Sequence, residues 1–331
     1  MEDIDVVITW VDGNDPEWKK VKNKYTPPAQ KDSASDTRYR DWDNLQYVLR
    51  GIEQNMPWVR RVHLVTWGHI PKWLNTGCSK LNIVRHEDFI PAEYLPTFNS
   101  NAIELNLHRI EDLAERFICF NDDMFVVKKT CSEDFFMNGL PKDMACISPQ
   151  PIYRSSIMNI ELNNMKIIND YFSGQDIKDN RKKWLNFGKY GQYAVRTAIF
   201  LKFKSIIGIF QPHVPYTLMK STYETLWQKE YEILDETCKN KFRTIGDVNV
   251  WLLRSWQLLS GDFEPRSYKF GQLISASDTD AIKYYLGNKS GCRVVCINDD
   301  ASVTDFEQTR DIVNSLLAQV LPDKSSFELE A

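Results

Sequence analysis

Ile4-Asp5-Val6-Val7-Ile8-Thr9-Trp10-Val11-Asp12-Gly13-Asn14-Asp15-Pro16 is the stretch on which the fold turns. Five of the eight residues from Ile4 to Val11 are β-branched aliphatics, too apolar a run for a strand with one wet face. It reads instead as a strand inside a parallel sheet. Asp12-Gly13 signals a turn, and Pro16 ends sheet pairing while suiting the first turn of a helix. Open α/β sheets bind ligands just past the carboxyl ends of their strands, which places Asp12, Gly13 and Asp15 where chemistry is expected. The competing reading is a surface βα turn, in which Asp and Asn make local hydrogen bonds.

Outward from this strand, Lys19 to Thr37 is polar around Pro27-Pro28 and reads as a loop that can order over a ligand. Between Asp43 and Gln54, the residues Leu45, Val48, Leu49 and Ile52 recur at helical spacing. Val59 to Trp67 is a strand ending at Gly68, and Leu81 to Arg85 is another, followed by His86-Glu87-Asp88. Helical periodicity runs through Asn101 to Leu113, and Arg116 to Phe120 is a core strand ending in Asn121-Asp122-Asp123. Alternating strands and helices predict an α/β fold: a Rossmann-like, mostly parallel sheet flanked by helices. From about Cys131 to Gln211 the pattern loosens. Asn, Lys and aromatic residues dominate Asn159 to Tyr193, with a helical stretch near Gln192 to Lys202. This predicts a partly helical inserted or lid-forming subregion at about 150–210 within one catalytic domain over 1–331, because the sheet pattern resumes afterwards. Ser221 to Cys238 and Asp247 to Leu259 read as helices, Arg293 to Ile297 as a last core strand ending in Asn298-Asp299-Asp300, and Asp305 to Val320 as a terminal helix.

Composition narrows the class. A chain of 331 residues can bury a substantial core, and a net charge of -4 carries no basic footprint for nucleic acid. No window approaches 18 uncharged apolar residues, and no basic-then-apolar segment opens the chain, so neither a membrane span nor a signal peptide is expected. The seven cysteines are scattered without CxxC spacing, as expected of reduced thiols in a cytoplasmic protein.

Three strand ends are acidic: Asp12 with Asp15, Asp122 with Asp123, and Asn298 with Asp299 and Asp300. The two later ones share the form Cys-(Phe or Ile)-Asn-Asp-Asp. Carboxylates at the ends of parallel strands can converge on one divalent cation, Mg²⁺ or Mn²⁺, which takes one or two carboxylates plus substrate phosphates. Such an ion neutralises a diphosphate during transfer. Taken singly, each acidic end is also explained as a turn or helix cap.

These residues resemble the Stealth family of hexose-1-phosphate transferases in four blocks and in order. The first is IDVVITWVDGNDPEW. The second runs from RYRDWDNLQYVLRGIEQNMPWVRRVHLVTWGHIPKWLN through IVRHEDFIP and LPTFNSNAIELNLHRI to FICFNDDMFV. The third is HVPYTLMKSTYETLW with KFRTIGDVNVWLLRSWQLLSG, and the fourth is CRVVCINDD. The family's larger eukaryotic members add modules and membrane anchors, so a compact bacterial version with a glycosyltransferase-A-like sheet is expected. The resemblance implies transfer of a sugar-1-phosphate from a nucleotide diphosphosugar to a hydroxyl, releasing a nucleoside monophosphate. The implied acceptor is a lipid-linked or polymeric glycan, with peripheral association at the inner face of the cell membrane.

The chemistry requires a base, cationic cover for phosphates, and a metal. Among the histidines, His63 sits inside a strand pattern and reads as structural, whereas His69 and His86 follow strand ends and can line a cleft. His213, framed by prolines in Gln-Pro-His-Val-Pro, is the favoured base. His108, one helical turn after Glu104, is the second candidate, and a carboxylate such as Glu104 the third. Arg40, Arg50 and Arg243 fall on family arginine positions and can clamp phosphates with planar forks. Asp12, Gly13, Asp15, Arg40, Arg50, Asn99, Asn101 and Asn121 are expected to contact the donor, and Asp122, Asp123, Asn298, Asp299 and Asp300 the metal. Two other readings use the same residues. A metal-dependent glycosyltransferase would release a nucleoside diphosphate, and a non-catalytic carbohydrate- or calcium-binding module would stack sugars on Trp10, Trp42, Trp67 and Trp73.

Overall fold

A computed structural model of the chain describes residues 3–26, 39–151, 153–154, 157–287 and 290–330. Its strands are β1 (Ile4–Thr9), β2 (Val62–Thr66), β3 (Leu81–Arg85), β4 (Arg116–Asn121), β5 (Met124–Val126), β6 (Phe136–Met137), β7 (Leu140–Asp143), β8 (Tyr216–Met219), β9 (Glu264–Pro265), β10 (Gly271–Ser275) and β11 (Val294–Asn298). In the first half the helices are α1 (Pro16–Tyr25), α2 (Leu45–Asn55), α3 (His86–Phe89) and α4 (Ser100–Leu105). The middle adds α5 (Met158–Tyr171), α6 (Gly174–Asp179), α7 (Arg181–Trp184), α8 (Phe187–Tyr190) and α9 (Gln192–Phe200). Last come α10 (Lys220–Lys229), α11 (Tyr231–Lys239), α12 (Val250–Ser260), α13 (Thr279–Leu286) and α14 (Phe306–Val320).

The main sheet has the order β3-β2-β1-β4-β8; β1 to β4 are parallel and β8 is antiparallel to β4. β1 is central because Val6, Val7 and Ile8 can be buried on both faces. The chain winds from β1 outward to β2 and β3, then returns to place β4 on the other side of β1. That reversal opens a crevice between the carboxyl ends of β1 and β4, the switch point where such sheets bind ligands.

A buried charge interrupts the apolar β1. Asp5 accepts bonds from Arg60 at 2.9 and 2.6 Å and from the Ala114 amide at 2.8 Å, and meets His63 Nε2 at 3.1 Å. Burial alone would raise this carboxyl, but those bonds hold it down at about 2. His63 is therefore structural, as its strand position implied. Arg60→Ala strips a buried carboxylate of its guanidinium, leaving only His63 and the Ala114 amide, and is expected to cost about 3 kcal/mol of stability, measured by denaturant unfolding.

After β4 the chain turns at Asp122-Asp123 into β5 and leaves the main sheet. β5 pairs antiparallel with β11, which pairs parallel with β10. The pairing sets Met124 opposite Cys296, and the Ile297 amide donates to the Asp123 carbonyl at 2.9 Å. Two strands far apart in sequence thus end side by side. Gly51 of α2 makes room for β5, since a Cβ there would lie 2.7 Å from the Val126 carbonyl oxygen.

One large apolar core lies between the main sheet and α4, α5 and α9 to α12, a second lies between the sheet and α2, β5, β10, β11, α13 and α14, and a small third cluster gathers Trp18, Phe98 and Phe242. The segment of loosened pattern, Asn159 to Tyr193, within the subregion expected to be partly helical, is helical from α5 through α8. Some of its polar residues serve as caps, Ser173 of α6 and Asn186 of α8, while Asn164 and Asn169 of α5 bond to Asn249 and to the Ile206 carbonyl. Ile168, Ile177, Trp184 and Tyr190 enter the same core as β4 and α12. The helix expected over Asn101 to Leu113 stops at Leu105, followed by a 3₁₀ turn at Leu107–Arg109. Asn106 accounts for the break, its side chain donating back to the Ala102 carbonyl at 2.8 Å. The helix expected from Ser221 to Cys238 divides at Glu230 into α10 and α11. Lys19 to Tyr25, read as loop, belongs to α1, while 27–38 lies outside the described residues. Among the described residues no helix is long and apolar enough to cross a membrane.

Candidate active site

Two cavities open at the β1/β4 switch point. The first, about 410 Å³, is lined by Trp10 after β1, Asp122 and Asp123 after β4, Asn298 and Asp299 at the end of β11, and Arg40. The second, about 400 Å³, lies toward α5 and α12. Both are large enough for a small ligand. Glu104, Asn121, His213 and Arg243 line both cavities and form their shared wall.

Asp123 and His213, which line the first cavity, and buried Cys296 each present a ligand atom, all within 4.8 Å of one another. Asp123 Oδ1 is buried with no hydrogen-bond partner. Burial pushes Asp122 up to about 8, with Asp123 and Asp41 adding like charge, and it also raises Asp123 against the opposing effect of His213. Adjacent half-buried carboxylates and an orphaned oxygen are what a bound cation would relieve. Of these groups only Asp123, with Asp122 beside it, offers the oxygen donors that a hard divalent cation takes together with substrate oxygens and water. Cys296 is a poor ligand for so hard an ion, because burial and Asp123 push its thiol well above the ordinary value.

The other acidic end divides in two. Asp299 faces the first cavity, accepting from Trp42 Nε1 at 3.3 Å and pairing with Arg40 at 3.7 Å, while Arg40 lies over the Phe306 ring at 4.8 Å. Asp300 does not reach the cavity; it is exposed and accepts from the Ser302 amide at 2.8 Å.

The β1 turn is mainly architectural. Asp15 caps α1, accepting from the Trp18 amide at 2.7 Å. Asp12 accepts from the Asn14 amide, and its own amide donates to His69 Nε2 at 2.8 Å. Gly13 is required by packing, since a Cβ would fall 1.7 Å from the Tyr39 carbonyl oxygen. Arg50 is also placed elsewhere, gripping Glu328 through two bonds at 2.8 and 2.7 Å and so tying α2 to the C-terminal tail.

His213 sits at φ 45°, a left-handed conformation uncommon for a side-chain-bearing residue. Arg254 braces the segment before it, donating to the Phe210 carbonyl at 2.8 Å and Gln211 Oε1 at 2.9 Å while bound to buried Asp143 at 2.7 Å. Glu104 is buried, and burial pushes its carboxyl up to about 7 against the opposing charge of Arg243. Arg243 Nε donates to Ser100 Oγ at 3.0 Å. Asp247, which sequence reasoning passed over, holds this wall together. Its carboxylate accepts from Asn99 at 2.9 Å, Asn101 at 3.0 Å, Asn240 at 2.9 Å and the Thr244 hydroxyl at 2.7 Å. Asn99 thus serves as cap of α4 and brace for the Arg243 loop, whereas Asn101 also lines the second cavity.

His108 lines neither cavity. Its ring stacks on Tyr223 with centroids 5.1 Å apart, and burial, with Arg109 and Lys220 nearby, pushes it down to about 3. The unfolded chain accepts this proton near pH 6.5 and the folded chain does not, so the stability it confers is full above that value and falls as pH drops toward 3. His108→Phe keeps the stack but cannot titrate. It is expected to gain on the wild type by about 1.4 kcal/mol per pH unit below 6.5 in denaturant unfolding, with activity unchanged.

Comparison with known proteins fits this geometry. The family models for Stealth protein conserved regions 1 and 2 match residues 2–27 and 38–143. The capsular polysaccharide phosphotransferase WcwK of Streptococcus pneumoniae is 40% identical, covering 99% of this chain and 98% of that protein. The receptor polysaccharide phosphotransferase WefC of Streptococcus gordonii is 37% identical over 99% and 100%, and the exopolysaccharide phosphotransferase cps2G of Lactiplantibacillus plantarum 34% over 98% and 96%. Among solved structures, the galactosyltransferase LgtC aligns with a TM-score of 0.38 at 12% identity, covering 94% of this chain and 95% of that one, a likeness too slight to carry function.

Proposed function

The chain belongs to the Stealth family of polysaccharide phosphotransferases, and on that premise we propose that it transfers a sugar-1-phosphate from a nucleotide diphosphosugar, a UDP-hexose or UDP-N-acetylhexosamine, to a glycan hydroxyl in capsule or cell-wall polysaccharide synthesis. The observation that supports this most directly is the wall shared by the two cavities. A donor in the first and an acceptor in the second would meet at Glu104, Asn121, His213 and Arg243.

In this reading the donor lies against Trp10, Trp42 and Phe98, with Arg40 and Arg243 facing its phosphates. Asp122 and Asp123 would hold a divalent cation, which when bound neutralises the diphosphate and the departing nucleoside monophosphate. His213 takes the proton from the acceptor hydroxyl as its oxygen attacks the sugar-proximal phosphorus. The bond from that phosphorus to the nucleoside phosphate breaks, leaving a phosphodiester. Asn121 and Arg243 face the phosphoryl oxygens, with Asp247 fixing the loop that carries Arg243. A lipid-linked or polymeric acceptor, met at the inner membrane face, belongs to the same proposal.

Incubation with a panel of nucleotide sugars, Mg²⁺ and a glycan acceptor is expected to release a nucleoside monophosphate, identified by chromatography. Release of a nucleoside diphosphate would replace phosphotransfer with glycosyl transfer.

A further inference from the structure

The second cavity holds a polar arrangement that the transfer step does not use. Glu161, on α5, lines it at 2% exposure, and its Oε2 is buried with no hydrogen-bond partner. The orientation of the neighbouring amide is fixed. Arg254 donates to Gln211 Oε1 at 2.9 Å, so Gln211 turns its Nε2 toward Glu161 Oε1, 3.4 Å away. Beside them stand Gln150, Asn249 and Trp251, the last anchored by a 2.7 Å bond from its indole nitrogen to the Tyr216 hydroxyl. Asn249 is itself tied to Asn164 at 2.8 Å.

Such a wall asks for a ligand that donates hydrogen bonds and carries no negative charge. Glu161 and Glu104 put two carboxylates on the cavity, and Arg243 is the cation that lines it among the described residues. A uronate or phosphate placed beside Glu161 would meet like charge in a confined space. We propose that the second cavity binds the acceptor through a neutral, hydroxyl-bearing sugar, and that Glu161 selects it by accepting a hydrogen bond from one of its hydroxyls. The proposal rests on the transfer reading above, with the acceptor in this cavity. Burial pushes the Glu161 carboxyl up to about 7 against the opposing hydrogen bonds of Gln211 and Asn164, while its Oε2 stays without a partner.

The test compares the wild type with Glu161→Gln and Glu161→Leu, using methyl glucoside, methyl galactoside, methyl N-acetylgalactosaminide and methyl glucuronide as acceptors. The wild type is expected to use one or more neutral glycosides and to reject the glucuronide. Glu161→Leu is expected to raise the acceptor KM about 10–100-fold, the loss typical of a hydrogen bond to a charged group, with the donor KM unchanged. Glu161→Gln keeps an accepting oxygen and is expected to lose less while admitting the glucuronide. Should the leucine variant fail to fold, the glutamine variant's shift toward the glucuronide decides alone. Equal use of glucuronide and neutral glycosides by the wild type, or unchanged acceptor preference in the variants, overturns the proposal. If no nucleotide sugar is turned over, the transfer reading has failed, and saturation-transfer NMR with the same glycosides decides on the site itself. Neutral-glycoside signals that weaken in the Glu161 variants uphold it; equal signals, or none from the wild type, overturn it.

Discussion

Changing Asp122 and Asp123 together to asparagine is expected to lower turnover about a thousandfold or more while the protein stays folded. A cation stabilising the charge of a transferring phosphoryl group supplies several kcal/mol, and each 1.36 kcal/mol is tenfold in rate. Stability should not suffer, because the exchange removes two adjacent carboxylates that burial already opposes. A second readout is independent of turnover. Added Mg²⁺ or Mn²⁺ is expected to raise the melting temperature of the wild type, as any ligand of the folded state does, and to leave the double variant unmoved. EDTA should reproduce the loss in the wild type. Full activity of the double variant in EDTA would remove the cation from the reaction.

His213→Ala is expected to slow transfer by about 10²–10⁴-fold, the usual contribution of a positioned base, with donor affinity nearly unchanged. The acidic limb of the wild-type pH–rate profile should be missing in this variant. Glu104 is the internal control, since burial places its carboxyl at about 7 on the same wall. If Glu104→Gln loses the acidic limb and His213→Ala keeps it, Glu104 is the base and His213 a positioning or metal-facing residue. His108→Phe should keep the limb in either case, because that ring is stacked on Tyr223 away from both cavities.

The strands were legible where a short apolar run was bounded by polar or turn residues. β1, β3, β4 and β11 lie within about a residue or two of the positions that periodicity indicated. Short strands of mixed composition were not. β8 lies inside the third block as Tyr216–Met219, and β10, Gly271–Ser275, carries too little pattern to stand out. Asn-rich sequence misled in the middle of the chain, since Asn there caps short helices and joins buried contacts in addition to forming loops.

For the site, sequence by itself determined which strands carry acidic ends and which loop frames a histidine, because turn chemistry and apolar runs are local. What only the tertiary structure decided is which of these acids meet. Asp122 and Asp123 stand over β11 because β5 leaves the main sheet to pair with that strand, whereas Asp15 is drawn into capping α1 and Asp300 into a surface turn. Arg50 and Arg243 are equally cationic in the sequence, yet one is taken by Glu328 and the other is held against Ser100 at the cavity wall. Asp247, Arg254 and Glu161 matter through partners far away in the chain, at Asn99, Asp143 and Gln211. Composition and spacing record which groups a chain owns; hydrogen bonds and burial across the fold determine which of them remain available to a ligand.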